Sequence, residues 1–332
     1  MKRALTETRL GYYASSEMRP TRSGDYLTAP ELHPFFGRCI GRFLAALWED
    51  AGSPGRFLVR EYGAGRGTLR RSTVDGLRLD DSGPAEAIEW QTVDLPHRSD
   101  GTEEPAHAIL ANEYLDALPV HRVIQDGGLR EIFVAWRDGW FTEVLDEPSS
   151  PELAAYLLAD DVVLSEGQRG EICLAASDWL AQTARTLHDD GRLLVIDYGH
   201  DAAELFGPRR MAGTLLTYRG HEVGDDPFAA VGHTDITSHV DVSALERAAD
   251  SAGLEQVGST DQARFLASLG LGELLADLGR DASTDPGDYL EARSAVARLL
   301  DPRHLGGFRV LAWGRRGPAS ASAALPGFGA AP

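Results

Sequence analysis

Apolar positions along the chain fall into two periods, and the switches between them mark out its elements. In "HPFFGRCIGRFLAALWED" (33–50), Phe35, Phe36, Ile40, Phe43, Leu44, Leu47 and Trp48 recur at helical spacing. "RFLVREYG" (56–63) is a compact apolar run ended by glycine and predicts a strand, and "TLRRSTVDGLRL" (68–79) predicts the helix after it. "AIEWQTVDL" (87–95) reads as a strand ending in Asp94, and "AHAILANEYLDALPV" (106–120) as a strand followed by a turn or short helix. "LREIFVAWRDGWFTEVL" (129–145) has the pattern of a hairpin bent at "RDG". "AASDWLAQTARTLHDDG" (175–191) predicts an amphipathic helix closed by Gly191, and "RLLVIDYGH" (192–200) a buried strand. "VSALERAADSAGL" (242–254) predicts a further helix and "GFRVLAWGR" (307–315) a last strand.

Strands alternating with helices imply an α/β fold with a parallel, doubly wound sheet. No repeat is evident. The end, "PASASAALPGFGAAP", is uncharged and rich in small residues, which predicts disorder. "GDDPFAAVGHTDITSHVD" (224–241) is loop-like and rich in His and Asp, the kind of segment that carries sites.

Composition narrows the partners. Among the chain's 332 residues the net charge is −19, which opposes nucleic acid and anionic membranes. Residues 1–60 carry +3 and the remainder −22, so the main body would attract a basic acceptor. Lys2 is the only lysine, which suggests a GC-rich bacterial genome. No run approaches 18 apolar residues, and the start lacks a signal-peptide core, so a cytoplasmic protein is expected. Cys39 and Cys173 fit no metal spacing and read as reduced thiols.

The chemistry concentrates at strand ends. In "EYGAGRGTL" (61–69), Gly63, Gly65 and Gly67 follow a strand and precede a helix, where bare backbone can approach a ligand. The spacing is G-x-G-x-G rather than the dinucleotide G-x-G-x-x-G, and Glu61 stands before it. A carboxylate there suits a cationic ligand and repels a pyrophosphate, which favours S-adenosylmethionine over NAD. Ala64 and Thr68 complete this cofactor turn. Asp94, or in reserve Glu89, would accept hydrogen bonds from ribose hydroxyls, although Asp94 could equally cap a turn. Asn112 and Glu113 end the next apolar strand, with Asp116 shortly after. Asn112 could orient an acceptor nitrogen, and the two acids could hold a cation. Asp197, Tyr198 and His200 end another strand.

Together these residues resemble the MidA family of class I S-adenosylmethionine-dependent methyltransferases. The resemblance covers most of the chain. It rests on "SGDYLTAPELHPFFG" (23–37), "EYGAGRGTL" (61–69), "LANEYLDALPVHRV" (110–123), "DYGH" (197–200), "GTLLTYRGH" (213–221) and "GHTDITSHVD" (232–241). It implies a Rossmann-like seven-strand sheet, with core segments 51–200 and 241–316. An N-terminal helical arm (1–50) and a substrate-side cap (201–240) would flank that core, and 317–332 would be a disordered tail. The family's mitochondrial members dimethylate an arginine of a complex I subunit during assembly. The resemblance also places Thr28 and Glu31 near cofactor and substrate, although "TAPE" could simply start a helix. One departure stands out: the stretch after the glycine motif is short and lacks the family's acidic second strand and the helix that follows it.

These residues imply methyl transfer to a nitrogen of a basic acceptor, a protein arginine first. A peptide or small amine modified on N or O, and a non-catalytic assembly factor, are the alternatives. Glu113 and Asp116, then Asp235, would orient a guanidinium. His200, His221 or His233 could act as a base. His233, Asp235, His239 and Asp241 could meet at a metal only in one particular loop, so no metal is expected. Self-association is left open.

Overall fold

The computed structural model describes residues 1–7, 9–14, 28–94, 104–220, 222–315 and 325–329. The segment 23–27 of the first family motif, His221, and most of the expected disordered tail lie outside the described residues. The chain divides into two compact units. Unit 1 comprises 1–26, 115–182 and 198–251; unit 2 comprises 27–114, 183–197 and 252–332.

Unit 2 is built on a six-stranded sheet. Its strands in chain order are β1 (Phe57–Tyr62), β2 (Ile88–Val93), β3 (Ala106–Asn112), β4 (Leu187–Asp197), β5 (Leu254–Asp261) and β6 (Arg309–Arg315). The spatial order is β5-β6-β4-β3-β1-β2. β1 runs parallel to β2 and β3, β3 runs parallel to β4, and β6 alone runs in the opposite direction, antiparallel to both β4 and β5. This is the expected class I sheet, with six strands rather than seven among the described residues. β2 forms its edge on the side where the sequence is shortened. The central strands read as apolar runs because both faces are covered: Phe57, Leu58 and Val59 of β1 and Leu193 to Ile196 of β4 are buried.

Helix α1 (Pro34–Asp50) starts on proline, and His33 Nδ1 accepts from the Phe35 amide. It buries the predicted apolar stripe and packs on α2 (Thr68–Leu79) through small residues. A Cβ at Gly37 would lie 2.0 Å from Ser72 Oγ, and one at Gly76 2.8 Å from Arg38 Cα. Glycine at these points lets the two backbones close up, which brings α2, and with it the glycine turn, down onto β1.

Two expectations are corrected. The helix expected to run to Gly191 spans Leu174–Arg185; β4 begins at Leu187, which pairs with Ala106, so Gly191 lies inside a strand. The apolar demand of β3 draws that segment into the sheet. Within the expected disordered tail, residues 325–329 are packed. Leu325 is buried, and the Phe328 ring lies 5.3 Å from Phe265 and 6.5 Å from Phe43, over Gly258. Isolated aromatic anchors are easily missed in a small-residue composition. Residues 262–300 form three helices, Gln262–Ser268, Leu271–Arg280 and Pro286–Leu300.

Unit 1 carries a four-stranded antiparallel sheet in the order Trp140–Asp146, Leu129–Arg137, His121–Gln125, Arg169–Ile172, with the predicted hairpin at one side. The segment read as a loop holds two short strands, Asp235–Thr237 and Val240–Asp241. The second pairs in parallel with Gly199–His200. No described helix is long and apolar enough to cross a membrane.

Candidate functional site: the carboxyl edge of the sheet

β1 ends at Tyr62, and the chain turns through Gly63, Gly65 and Gly67 at φ 69°, 48° and 67°. All three lie in the left-handed region, where a side chain costs about 1–2 kcal/mol. Their neighbourhoods differ. A Cβ on Gly63 would meet the Tyr114 ring at 2.9 Å, whereas one on Gly65 or Gly67 would meet nothing within 4 Å. Gly67 is the N-cap of α2 and no side chain caps that end, so the first-turn amides follow directly from the bare turn. Ala64 accepts from the Gly67 amide, and Thr68 opens the helix.

Asp94 stands just past β2, and its Oδ2 accepts from the Gly65 amide at 2.8 Å. It therefore shapes the glycine turn. Glu89, its alternative for a ribose contact, lies five residues back along β2 and is ion-paired with Arg56. At about 3.3 Å per residue, that is roughly 16 Å from the turn.

Glu61 is buried, and its Oε2 accepts from Trp90 Nε1 at 2.8 Å. Burial raises its pKa to about 7; the Trp90 bond opposes this, the Asp94 charge adds to it and Arg70 opposes it. Trp90 was not among the expected residues; its place at the middle of a half-covered strand gave no signal.

Register sets Tyr62 opposite Ala111, so Asn112 and Glu113 emerge from β3 level with the glycine turn. Glu113 has φ 49°, a left-handed conformation rare outside glycine. The strain is held by the end of β4: the Glu113 amide donates to Ile196 O at 2.9 Å and the Tyr114 amide to Asp197 Oδ2 at 3.1 Å. Glu113 Oε1 accepts from the Ala29 amide at 2.9 Å and from Asn112 Nδ2 at 3.1 Å. Its Oε2 and Asn112 Oδ1 are buried acceptors with no hydrogen-bond partner. Burial raises the Glu113 pKa to about 8 against those two hydrogen bonds, with the Asp197 and Glu31 charges adding to the rise. Thr28 is the N-cap of the short helix Ala29–Leu32, so the carboxylate of Glu113 holds the start of "APEL".

Unit 2 thus gathers Thr28, Glu31, Glu61, the glycines, Asp94, Asn112, Glu113 and Asp197. Asp116, Tyr198, His200 and Asp235 belong to unit 1. There Asp235 Oδ1 accepts from the Tyr13 hydroxyl at 2.7 Å. The Tyr218 hydroxyl is raised by burial, then by the charges of Asp116 and Asp235. Both carboxylates also act on Tyr13. Neither tyrosine was anticipated, because their partners are remote in sequence. Tyr198, His239 and His200 form a stack with centroids 5.7 and 5.2 Å apart. His200 Nδ1 lies 3.1 Å from Glu204, and burial lowers the His239 pKa to about 4, with His200 and Arg210 adding. Asp241 instead caps the helix Val242–Ser251 through the Ala244 amide. Among the described residues no His, Cys, Asp and Glu group is placed to hold a metal ion.

Comparison with known proteins agrees with this edge. The sequence profile of the family described as "Putative S-adenosyl-L-methionine-dependent methyltransferase" matches residues 77–260, more than half of the chain. A Burkholderia thailandensis protein solved bound to S-adenosyl-homocysteine superposes with a TM-score of 0.86 at 30% identity, covering 98% of this chain and 88% of that one. The mitochondrial protein arginine methyltransferase NDUFAF7 homolog of Drosophila melanogaster is 27% identical, over 92% of this chain and 78% of its own length. Human NDUFAF7, of the same description, is 25% identical over 92% and 76%. The bare turn and the acidic groups at the sheet edge fit a cofactor with cationic centres, and the uncapped α2 terminus offers amides to its carboxylate. The chain belongs to the MidA-like family of class I S-adenosyl-L-methionine-dependent methyltransferases, as its motifs led us to expect.

Proposed function

We propose that this methyltransferase modifies a nitrogen of a basic acceptor, and that the acceptor is a protein arginine. One observation carries the reading: the paired, buried, unpartnered acceptors Glu113 Oε2 and Asn112 Oδ1, level with the glycine turn. A buried acceptor without a donor costs free energy, and a guanidinium offers five N–H donors in a planar fork. The arginine methyltransferase names of the relatives support the same acceptor.

In this reading Glu61, Gly63, Ala64, Gly65, Gly67, Thr68, Asp94 and Asn112 hold S-adenosylmethionine. When bound, it supplies an electrophilic methyl group on a sulfonium. The chain's own residues must orient the acceptor and receive a proton. A guanidinium has a pKa above 12, so removing its proton in advance at neutral pH would cost roughly 7–9 kcal/mol. The proton therefore leaves during or after transfer. Burial raises the Glu113 carboxyl to about 8, but a guanidinium beside it favours the carboxylate, whose Oε2 is then the group placed to take the proton. Asp116, Asp235, Thr28, Glu31, Asp197, Tyr198 and His200 are assigned to the acceptor side. A cytoplasmic setting completes the reading, since Cys39 and Cys173 are both free thiols.

The test is mass spectrometry of arginine-bearing candidate proteins after incubation with isotopically labelled cofactor. Label on arginine in the wild type, lost in Glu113→Gln, is expected. Transfer only to non-basic acceptors, or transfer indifferent to Glu113→Gln, would remove the reading.

A further inference from the structure

Unit 1 contains a groove that none of these roles uses. It encloses about 880 Å³ and is lined by apolar groups including Leu10, Val120, Ile132, Val134, Phe141 and Phe228. One wall is the hairpin of Leu129–Arg137 and Trp140–Asp146. Its register puts Ile132, Val134 and Trp136 on one face, with Leu145 and Phe141 opposite the first and last of them. That face continues past the groove into solvent: Val134 is 56% exposed and Trp136 63%. The Trp136 ring meets Phe141 edge-on at 4.8 Å, and Phe141 stacks on Phe228 at 6.0 Å. Trp140, on the other side of the turn, is 77% exposed. The outer strand Trp140–Asp146 is paired on one side only, so it forms a sheet edge.

An exposed apolar face of this kind, continuous with a groove, marks a macromolecular contact rather than scattered surface residues. A small molecule filling the groove would leave Trp136 in water. The charges point further. Lys2 and Arg3 line the mouth, and neither has an ion-pair partner among the described residues. The hairpin turn holds Asp138, exposed and also without a described ion pair, between Trp136 and Trp140; its neighbour Arg137, equally exposed and without a described ion pair, stands on the opposite face of the strand from Trp136. One surface therefore holds an apolar projection that ends beside an acid, and an apolar recess whose lining includes two bases without described ion pairs, together with Glu7 and Glu131.

We infer that this face is a self-association surface. Two copies related by a two-fold axis would lay their hairpins antiparallel. Each would place Trp136 in the other's groove and Asp138 against Lys2 and Arg3 of the partner subunit. Because one chain carries both the projection and the recess, a single contact made twice closes the assembly. A foreign protein would need only the recess and would leave the projection unexplained. The exposed edge strand, otherwise open to indiscriminate pairing, is then covered.

Sedimentation of the full chain at micromolar concentration tests this. We expect a dimer in the wild type. Trp136→Asp raises its dissociation constant by about 100-fold or more, as loss of an aromatic anchor does, while the thermal midpoint stays put because the side chain is largely exposed. Asp138→Lys raises it roughly tenfold, and adding Lys2→Glu with Arg3→Glu restores most of that loss. A wild type that stays monomeric overturns the inference, as does a dimer indifferent to Trp136→Asp. A monomer that gains a tryptophan signal only with an added protein would also overturn it, and would assign the groove to a foreign partner.

Discussion

Two regions of the molecule carry its acidic chemistry, and they are held together in different ways. At the carboxyl edge of the sheet in unit 2, Asp94, Glu113 and Asp197 each accept from a backbone amide: those of Gly65, Ala29 and Tyr114. In unit 1, Asp235 is bound by a side chain, Tyr13, 222 residues away in sequence. The edge is thus fixed by the course of the chain, whereas the Tyr13–Asp235 bond is made by a side chain that could be exchanged. Chemistry that must be positioned finely belongs on the first kind of support.

The sharpest way to break this contrast is at Glu113. Glu113→Gln keeps an oxygen for the Ala29 amide but removes the ionisable carboxyl, and with it the proton acceptor. Turnover is expected to fall by roughly 10²–10⁴-fold, the range of general acid–base contributions. Cofactor affinity measured by calorimetry should change little. Asp235→Asn in unit 1 is expected to cost far less turnover. A larger loss there than at Glu113 would reverse the assignment of the two regions.

The glycine turn separates support from contact. Gly63→Ala drives a Cβ against the Tyr114 ring at 2.9 Å on a left-handed backbone, so it should destabilise the fold by about 2–4 kcal/mol. Gly65→Ala meets nothing within 4 Å and should cost only about 1–2 kcal/mol of stability. Its methyl group projects into the space assigned to the cofactor, so its main effect should be on cofactor affinity. Denaturant unfolding paired with calorimetric titration distinguishes them. Equal losses of affinity and stability in both variants would mean that the turn serves packing alone.

What was legible in the sequence follows the same line. "EYGAGRGTL" and "LANEYLDALPV" announce backbone conformations, and both stand where expected, Glu113 included. The helical stripe of α1 was legible because burial imposes a period. Trp90, Tyr13 and Tyr218 were not, because nothing local prepares a side chain for a partner dozens or hundreds of residues away. The end of the helix Leu174–Arg185 was misplaced for a related reason. Gly191 looks like a helix stop, but pairing of Leu187 with Ala106, a non-local demand, decides where the strand begins. His and Asp in one loop suggested a common site, whereas Asp241 caps a helix and His239 joins a ring stack.

Titration sharpens the comparison, since the two regions should respond to pH with opposite slopes. Glu61 and Glu113 are raised from 4.5 to about 7 and about 8. The folded chain keeps protons there that the unfolded chain releases. Their contribution to stability is complete below about pH 4.5 and is lost as pH rises to 7–8, on the order of 1–3 kcal/mol for each carboxyl. His239 is lowered from 6.5 to about 4, so its burden appears in acid, as pH falls from 6.5 toward 4. Unfolding free energy against pH should show both limbs, with Glu61→Gln or Glu113→Gln flattening the alkaline one and His239→Phe the acid one. Cofactor binding should release protons near neutral pH, because a cation beside Glu61 favours its carboxylate. Calorimetry in buffers of different ionisation enthalpy reads that release directly.

The smallest expected effect tests the side-chain-held region alone. Tyr13→Phe removes the hydroxyl that donates to Asp235 Oδ1 at 2.7 Å and leaves the ring in place. Tyr13 is 39% exposed, so water can take over much of what the hydroxyl did. The loss should stay near the low end of a hydrogen bond's net worth, about 0.5–1 kcal/mol, or a shift of about 1–4 °C in Tm for a chain of this size. If the assignment of Asp235 to the acceptor side is right, the same change should raise KM for a basic acceptor several-fold and leave kcat and cofactor affinity nearly untouched, since the carboxylate loses a positioning bond but keeps its charge. A fall in kcat matching that of Glu113→Gln would mean that the tyrosine–carboxylate cluster belongs to the transfer step itself, and the division between a rigid reacting edge and an adaptable recognising cluster would have to be given up.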